Sequence, residues 1–295
     1  MYTGGGSVGV EIERHVGGGD GYVMIEKAIE SPNFILFYEG ARKQTVRAPK
    51  SGRYTITAVG AKGGNCNGCD EATCKEKEET SETNIKCYRC ERQFHDGGYG
   101  ALARGTFLLS EGDEIDVVVA GRGGNCRILS KETVATLTAT GGSGGGASSV
   151  RVRRQSDGQN EELLLAAAGG GGAGFYFQGE DGRTSQFGGW VWGGSNGGGG
   201  TIPDGASVHS GAGGGGVFGD GASRSVKVEG KNVKDEKERI WAQGGSSLLD
   251  GGLGGFVDRF MGYNGTDSTN KPYISVIVSG HPGGYGGGGQ GGFGE

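Results

Sequence analysis

AAAGGGGAGFYFQGEDGRTSQFGGWVWGGSNGGGGTIPDGASVHSGAGGGG, residues 166–216, is the stretch that decides the fold. Shorter relatives lie around it: GGSGGG at 141–146, GGLGG at 251–255 and GGYGGGGQGGFG at 283–294. Glycine makes up 70 of 295 residues, about three times the ~7% usual for proteins. A disordered linker is the plainest reading of such runs. What flanks them argues against it. YTITAV (54–59), IDVVVA (115–120), LLLAAA (163–168) and YISVIV (273–278) carry the β-branched and aromatic residues of core strands. Collagen is excluded, because glycine does not recur strictly every third residue and only 5 prolines are present. An ordered glycine structure remains. Its unit is the left-handed polyproline II helix, with about three residues per turn, no internal hydrogen bonds, and N–H and C=O groups pointing outward. Such helices pack side by side and bond to one another only where no Cβ intervenes. Ordering glycine is entropically costly, so a conventional core must support the array.

Outward from that stretch the chain reads as strands. SVGVEIE (7–13) alternates apolar and polar residues, GYVMIEK (21–27) follows, and FILFY (34–38) reads as a buried strand. Ala48–Gly52 is a Pro/Gly turn. In Tyr54–Val59, Tyr54, Ile56 and Ala58 share one face and Thr55, Thr57 and Val59 the other. GGYGAL (97–102) resumes the glycine theme, TFLL (106–109) and Glu114–Ala120 are strands, and Val150–Arg153 and Glu161–Ala168 continue the sheet. Val226–Glu238 reads as a charged excursion, Phe256–Tyr263 as a helical turn and Tyr273–Ser279 as the last strand.

Three blocks, APKSGRYTITAVGAKGG (48–64), GYGALARGTFLLSEGDEIDVVVAGRGG (98–124), and GGSGGGASSVRVR with LLLAAAGGGGAG (141–153 and 163–174), stand in one order. In that order they resemble the glycine-rich domain of the anaplastic lymphoma kinase and leukocyte tyrosine kinase receptor ectodomains, and glycine-rich modules of secreted and adhesive proteins. The resemblance covers roughly residues 44–294. It implies an all-β, jelly-roll-like β-sandwich carrying a packed bundle of polyglycine II helices, and a role in binding a polypeptide ligand. No kinase, membrane span or cysteine-rich tail follows, and the insertion from Cys66 to His95 is foreign to the pattern. No ligand-contacting residue transfers position by position. The chain divides accordingly into N-terminal strands (1–43), a glycine-rich β-module (44–295) and a Cys-rich insertion within it (65–96).

The 6 cysteines are Cys66, Cys69, Cys74, Cys87, Cys90 and Cys126. The pairs Cys66-x-x-Cys69 and Cys87-x-x-Cys90, separated by residues 70–86, have the spacing of a four-thiolate zinc site, with Cys74 and His95 as substitutes. Three disulfides are the favoured reading. The count is even, and Cys126 follows Gly-Gly-Asn just as Cys66 does, which sets the two side by side. Zinc would leave Cys74 and Cys126 unexplained. No metal or other cofactor is therefore favoured. Asn264-Gly265-Thr266 is a glycosylation sequon placed in a polar loop. Phe175–Phe177, Phe187, Trp190 and Trp192 punctuate the glycine runs, either as wedges between glycine bundle and sheet or, for Phe187, Trp190 and Trp192, as a ligand-stacking platform.

Catalysis finds little footing. The 4 histidines are scattered, H-E-x-x-H is absent, and glycine-spaced phosphate motifs carry no meaning in this composition. A net charge of −5 argues against non-specific nucleic-acid binding. No apolar run approaches the ~20 residues of a membrane span. The N-terminus lacks a signal peptide's basic and apolar regions, so the chain reads either as not secreted or, the favoured reading, as a mature or excised fragment. Two function classes survive. One is an extracellular or cell-surface, non-enzymatic module for recognition or adhesion, with a protein or glycan partner. The other is a self-assembling fibre subunit, or a viral or phage adhesin. For the fibre, GGGDGYVMI (17–25) is a strand to spare and the last residues are glycine-rich without a closing strand, so copies would join head to tail by strand donation.

Overall fold

The computed structural model describes residues 10–17, 19–27, 34–69, 92–126, 142–156, 160–174, 178–183, 198–201, 212–228, 237–255, 260–266 and 272–277. Among them every regular element is a strand. In chain order these are β1 (Val10–Gly17), β2 (Tyr22–Lys27), β3 (Phe34–Phe37), β4 (Lys43–Arg47), β5 (Gly52–Val59), β6 (Cys66–Cys69), β7 (Arg92–His95) and β8 (Gly100–Leu109). They continue with β9 (Glu114–Val118), β10 (Ser148–Arg153), β11 (Glu161–Ala167), β12 (Arg224–Val228), β13 (Lys237–Ala242), β14 (Phe260–Thr266) and β15 (Pro272–Ile277). Two antiparallel sheets dominate, one in the order β1-β8-β5-β2-β3 and one in the order β11-β10-β9-β4. The remaining strands form the two-stranded pairs β6–β7, β12–β13 and β14–β15.

Both sheets contribute to one core. Val23 and Ile25 of β2 and Ile56 of β5 cluster with Ile115 of β9 and Val150 and Val152 of β10, all at 0% exposure. Each such side chain contributes about 1.5–3 kcal/mol through burial. The period-2 alternation of β5 places Tyr54, Ile56 and Ala58 in that core, and the Tyr54 hydroxyl donates to the Lys50 carbonyl at 2.7 Å. Thr57 and Val59, on the other face, are buried as well, because the glycine segments begin there.

Several sequence expectations change. Phe34–Tyr38 is not a buried strand: β3 is a sheet edge, with Ile35 53% and Phe37 61% exposed. The strand expected over Thr106–Leu109 begins at Gly100 instead, inside the glycine-themed 97–102, and GALARG (100–105) pairs with both β1 and β5, since close neighbouring backbones favour its small residues. The charged excursion 226–238 holds the inner ends of β12 and β13, paired from Arg224–Ala242 to Val228–Lys237. Phe256–Tyr263 is no helical turn where it is described, because β14 begins at Phe260. Asn264 sits in that strand opposite Ile274 rather than in a loop. The N-terminal strand is not spare: β2 lies between β5 and β3 in its own chain's sheet, and β1 pairs β8. A boundary at residue 43 therefore cuts through the larger sheet.

The glycine runs lead out of the strand ends. Segment 60–65 continues β5 and is the centre of a hydrogen-bonded array. Gly60 and Gly63 donate to the carbonyls of Ala101 and Gly98, both at 2.9 Å. Ala61 and Gly64 donate to Gly146 and Ser143, at 3.0 and 2.8 Å. The Lys62 and Asn65 carbonyls accept from Gly123 and Cys126, at 3.0 and 2.9 Å. Those of Ala61 and Gly64 accept from Gly170 and Ala173, at 3.0 and 2.9 Å. Consecutive residues thus address different neighbours, and every third residue returns to the same one. The partner numbers also fix direction. Segments 119–126 and 168–174 run parallel to 60–65, and 96–101 and 142–147 run against it. Segment 178–183 runs parallel to 96–101, through Gly179 N to Asp96 O and Gly182 N to Tyr99 O.

Close approach is the reason for glycine here. A Cβ on Gly64 would fall within bonding range of the Gly124 carbonyl, and one on Gly63 within that of Gly171. Neither residue has the positive φ that would by itself select glycine, unlike Gly112 at 85° in the turn between β8 and β9.

Residues 198–255 repeat the pattern on a smaller scale. Gly213 and Gly216 donate to Ala222 and Gly219, and Gly245 and Leu248 donate to Gly213 and Gly216. Arg151 of β10 donates to the Leu248 carbonyl and ties this second array to the four-stranded sheet. Each array also carries a strand pair on the same latch. The residue before the first strand offers a side-chain oxygen to the second residue after the last strand. Asn65 Oδ1 accepts from Gly97 N at 3.0 Å around β6–β7, and Ser223 Oγ from Gly244 N at 3.1 Å around β12–β13.

The four-stranded sheet carries a ladder of ion pairs. Asp116, with its side chain 4% exposed, accepts from Lys43 at 2.7 Å, Thr45 at 2.6 Å and Arg153 at 3.2 Å. Burial alone would raise its pKa, but the Lys43 and Thr45 hydrogen bonds and the charges of Lys43 and Arg153 outweigh that and lower it. A lowered carboxylate pKa stabilises the fold above the unfolded-state value of about 3.9, and this stabilisation is lost as pH falls through the folded-state value. Stability should therefore drop on acidification below about pH 4, and Asp116→Asn should flatten that acid limb in pH-dependent urea melts. An unchanged limb in the variant would contradict the assignment.

Candidate functional site

The directions of the glycine segments collect their far ends at one place. The ascending segments 60–65, 119–126 and 168–174 continue β5, β9 and β11 away from the sheets. The descending ones, 96–99 and 142–147, return into β8 and β10. The far ends of these segments, among them Asn65, Cys126, Gly142 and Ala173, are bonded to one another and form the pole of the array remote from the two large sheets. Excursions gathered on a rigid scaffold are where binding groups usually concentrate.

Polar contacts fix this pole. Cys66 and Cys126 form a disulfide with Cα atoms 4.9 Å apart. Cys126 N donates to Asn65 O at 2.9 Å, and Asn65 N donates to Asn125 Oδ1 at 2.9 Å. The two Gly-Gly-Asn-Cys segments are therefore laced together side by side, as their shared sequence predicts. Lys62, only 6% exposed, donates from Nζ to Asp96 Oδ1 at 2.8 Å and lies 4.7 Å from the centre of the Tyr99 ring. Tyr99 N in turn donates to Asp181 Oδ1 at 2.7 Å. On β7, His95 is buried and Phe94 is 55% exposed, as alternation on a strand requires.

A buried ammonium needs its counter-ion, so the two ends of the Lys62–Asp96 pair should differ on mutation. Asp96→Ala is expected to cost about 2 kcal/mol, reduced by the partial exposure of the carboxylate, whereas Lys62→Met should cost about 1 kcal/mol or less. Urea denaturation of both variants checks the order, and equal losses would contradict it.

Of the residues singled out in the sequence, Cys66 and Cys126 come together. Cys69 ends β6, while Cys74, Cys87 and Cys90 lie outside the described residues. The four-thiolate alternative loses Cys66, whose sulfur is bonded to Cys126. Among the described residues no three His, Cys, Asp or Glu side chains are grouped to hold a metal ion. Phe187, Trp190 and Trp192 also lie outside the described residues. Asn264 is in β14, away from the pole elements in sequence and pairing. Sequence reasoning missed Lys62, Asp96 and Tyr99. The one available signal was a lysine inside a glycine run, at Gly60-Ala61-Lys62-Gly63-Gly64. No helix among the described residues is long and apolar enough to cross a membrane. The disulfide is compatible with an extracellular protein. No family model matches the chain, and the comparison with curated proteins finds no relative.

Proposed function

We propose that the chain is an extracellular, non-enzymatic glycine-rich recognition module, built as a jelly-roll-like β-sandwich with a bundle of polyglycine II helices, that binds a protein or glycan through the loops at the pole. The observation that carries this reading is the gathering of the glycine-segment ends at one pole of a hydrogen-bonded array. The three-residue period of the array's hydrogen bonds is what a polyglycine II helix requires, since it turns once in about three residues. The order of glycine and strand blocks that resembles the receptor ectodomains supports the same class, and the Cys66–Cys126 disulfide fits an oxidising compartment. The fibre alternative is weakened by the pairing of β2 within its own sheet.

The test replaces residues 71–90 and 128–140 by glycine–serine linkers, separately. Labelled chain is then titrated onto glycan and secreted-protein arrays. Saturable binding that either replacement abolishes, with the thermal transition retained, is the expected result. Binding indifferent to both replacements would overturn the reading. So would long unbranched polymers in mass photometry, which would favour the fibre.

A further inference from the structure

The β6–β7 ladder sets Cys66 directly opposite His95. Residues paired in this way point to the same face of the ladder, with Cβ atoms about 4.5–5.5 Å apart. Both are buried, Cys66 at 1% and His95 at 5% exposure. Among the described residues His95 Nε2 has no hydrogen-bond partner, which buried polar groups rarely tolerate without a role. The two halves of the disulfide differ in burial, because Cys126 is partly buried and Cys66 fully. The nearest charges along these elements, Asp96 and Lys62, are already paired with each other.

We propose that Cys66–Cys126 is a redox-active disulfide whose reductant is a dithiol, with His95 as the positioning residue that carries the balancing proton. A thiolate of the dithiol attacks Sγ of Cys126, the less buried of the two cysteines. A bond forms between that sulfur and the reductant, the Cys66–Cys126 bond breaks, and Cys66 leaves as a thiolate. The proton lost by the attacking thiol is held on His95, the residue opposite Cys66 on the ladder. The dithiol's second thiolate then displaces Cys126, which takes up the second proton. One disulfide and one dithiol thus become two protein thiols and one cyclic disulfide. Thiol exchange is faster when the leaving sulfur is a stabilised thiolate, and a neighbouring protonated imidazole provides that stabilisation. Reduction would unlace the two Gly-Gly-Asn-Cys segments where the excursions 66–95 and 127–141 begin. This chemistry stands independently of what the pole recognises.

The experiment exposes the full oxidised chain to dithiothreitol for graded times, traps thiols by isotope-coded alkylation, and quantifies the Cys66 and Cys126 peptides by mass spectrometry. Circular dichroism of the same samples follows the sheets. In the wild type both thiols should appear while the strand signal is unchanged, and His95→Gln should slow their appearance about tenfold or more. Reduction of His95→Gln at the wild-type rate would overturn the role of His95. Thiols appearing in the wild type only as the strand signal is lost would overturn the proposal as a whole, and that arm depends on no variant folding.

Discussion

Gly64→Ala is expected to cost about 3 kcal/mol or more, a large share of the ~5–15 kcal/mol that holds a domain folded. The added methyl would fall on the backbone carbonyl of Gly124, which is itself bonded to Ser143 N at 2.9 Å. A flexible side chain could swing aside, but a carbonyl inside a hydrogen-bonded array cannot move without breaking its own bonds. Gly64 also donates to Ser143 and accepts from Ala173, so a shift of its segment disturbs two further neighbours. Two comparisons separate space from conformation. Gly19 has open room and no positive φ, so Gly19→Ala should be neutral or stabilising by about 0.4–1 kcal/mol. Gly40 has open room but a φ of 93°, so Gly40→Ala should cost about 1–2 kcal/mol through backbone strain alone. Urea melts followed by circular dichroism give all three values. A Gly64→Ala variant within 1 kcal/mol of wild type would contradict the close packing described for segment 60–65.

Replacing both Cys66 and Cys126 by serine should cost about 4 kcal/mol. The disulfide closes a loop with a sequence separation of 60 residues, and the chain-entropy account assigns a closure of that size about that much, mainly by restricting the unfolded chain. The loss should appear in equilibrium melts as a lower midpoint. The folded double variant should keep its sheets, because the core residues of β2, β5, β9 and β10 touch neither cysteine in the cluster they form. Its pole should exchange amide hydrogens faster at Asn65, Gly97 and Cys126, whose bonds the disulfide brackets. A double variant as stable as wild type would mean that the two segments are held by their backbone and asparagine bonds alone.

The sheets were legible wherever apolar content was dense. β5, β9, β11 and β15 follow from runs such as YTITAV and YISVIV, because burial on a pleated surface selects those residues. Strands whose backbone neighbours lie very close were not legible. β8 begins GALARG and β14 reads FMGYNGT, and in both glycine and asparagine suggested loop or turn. β12 and β13 were hidden by lysine and glutamate, which say nothing about backbone pairing. The burial assigned to β3 failed because FILF is as apolar as a central strand, while its place at the edge is set by the sheet order, in which only β2 pairs with it. At the pole, the repeated Gly-Gly-Asn-Cys gave the disulfide. The Lys62–Asp96 pair was beyond sequence reasoning, since it joins residues brought together only by the antiparallel course of two glycine segments.

The ascending and descending segments have a mechanical consequence. A tug on the pole is delivered straight into β5, β9 and β11, since the three ascending segments are continuous with those strands. The bonds between segments lie across that line of force. They are strained together, like rungs sheared between parallel rails, and cannot be opened one after another as in a zipper. A partner that pulls on the loops would therefore meet a stiff strut, and tension would reach the central sheet strands before any glycine segment came loose.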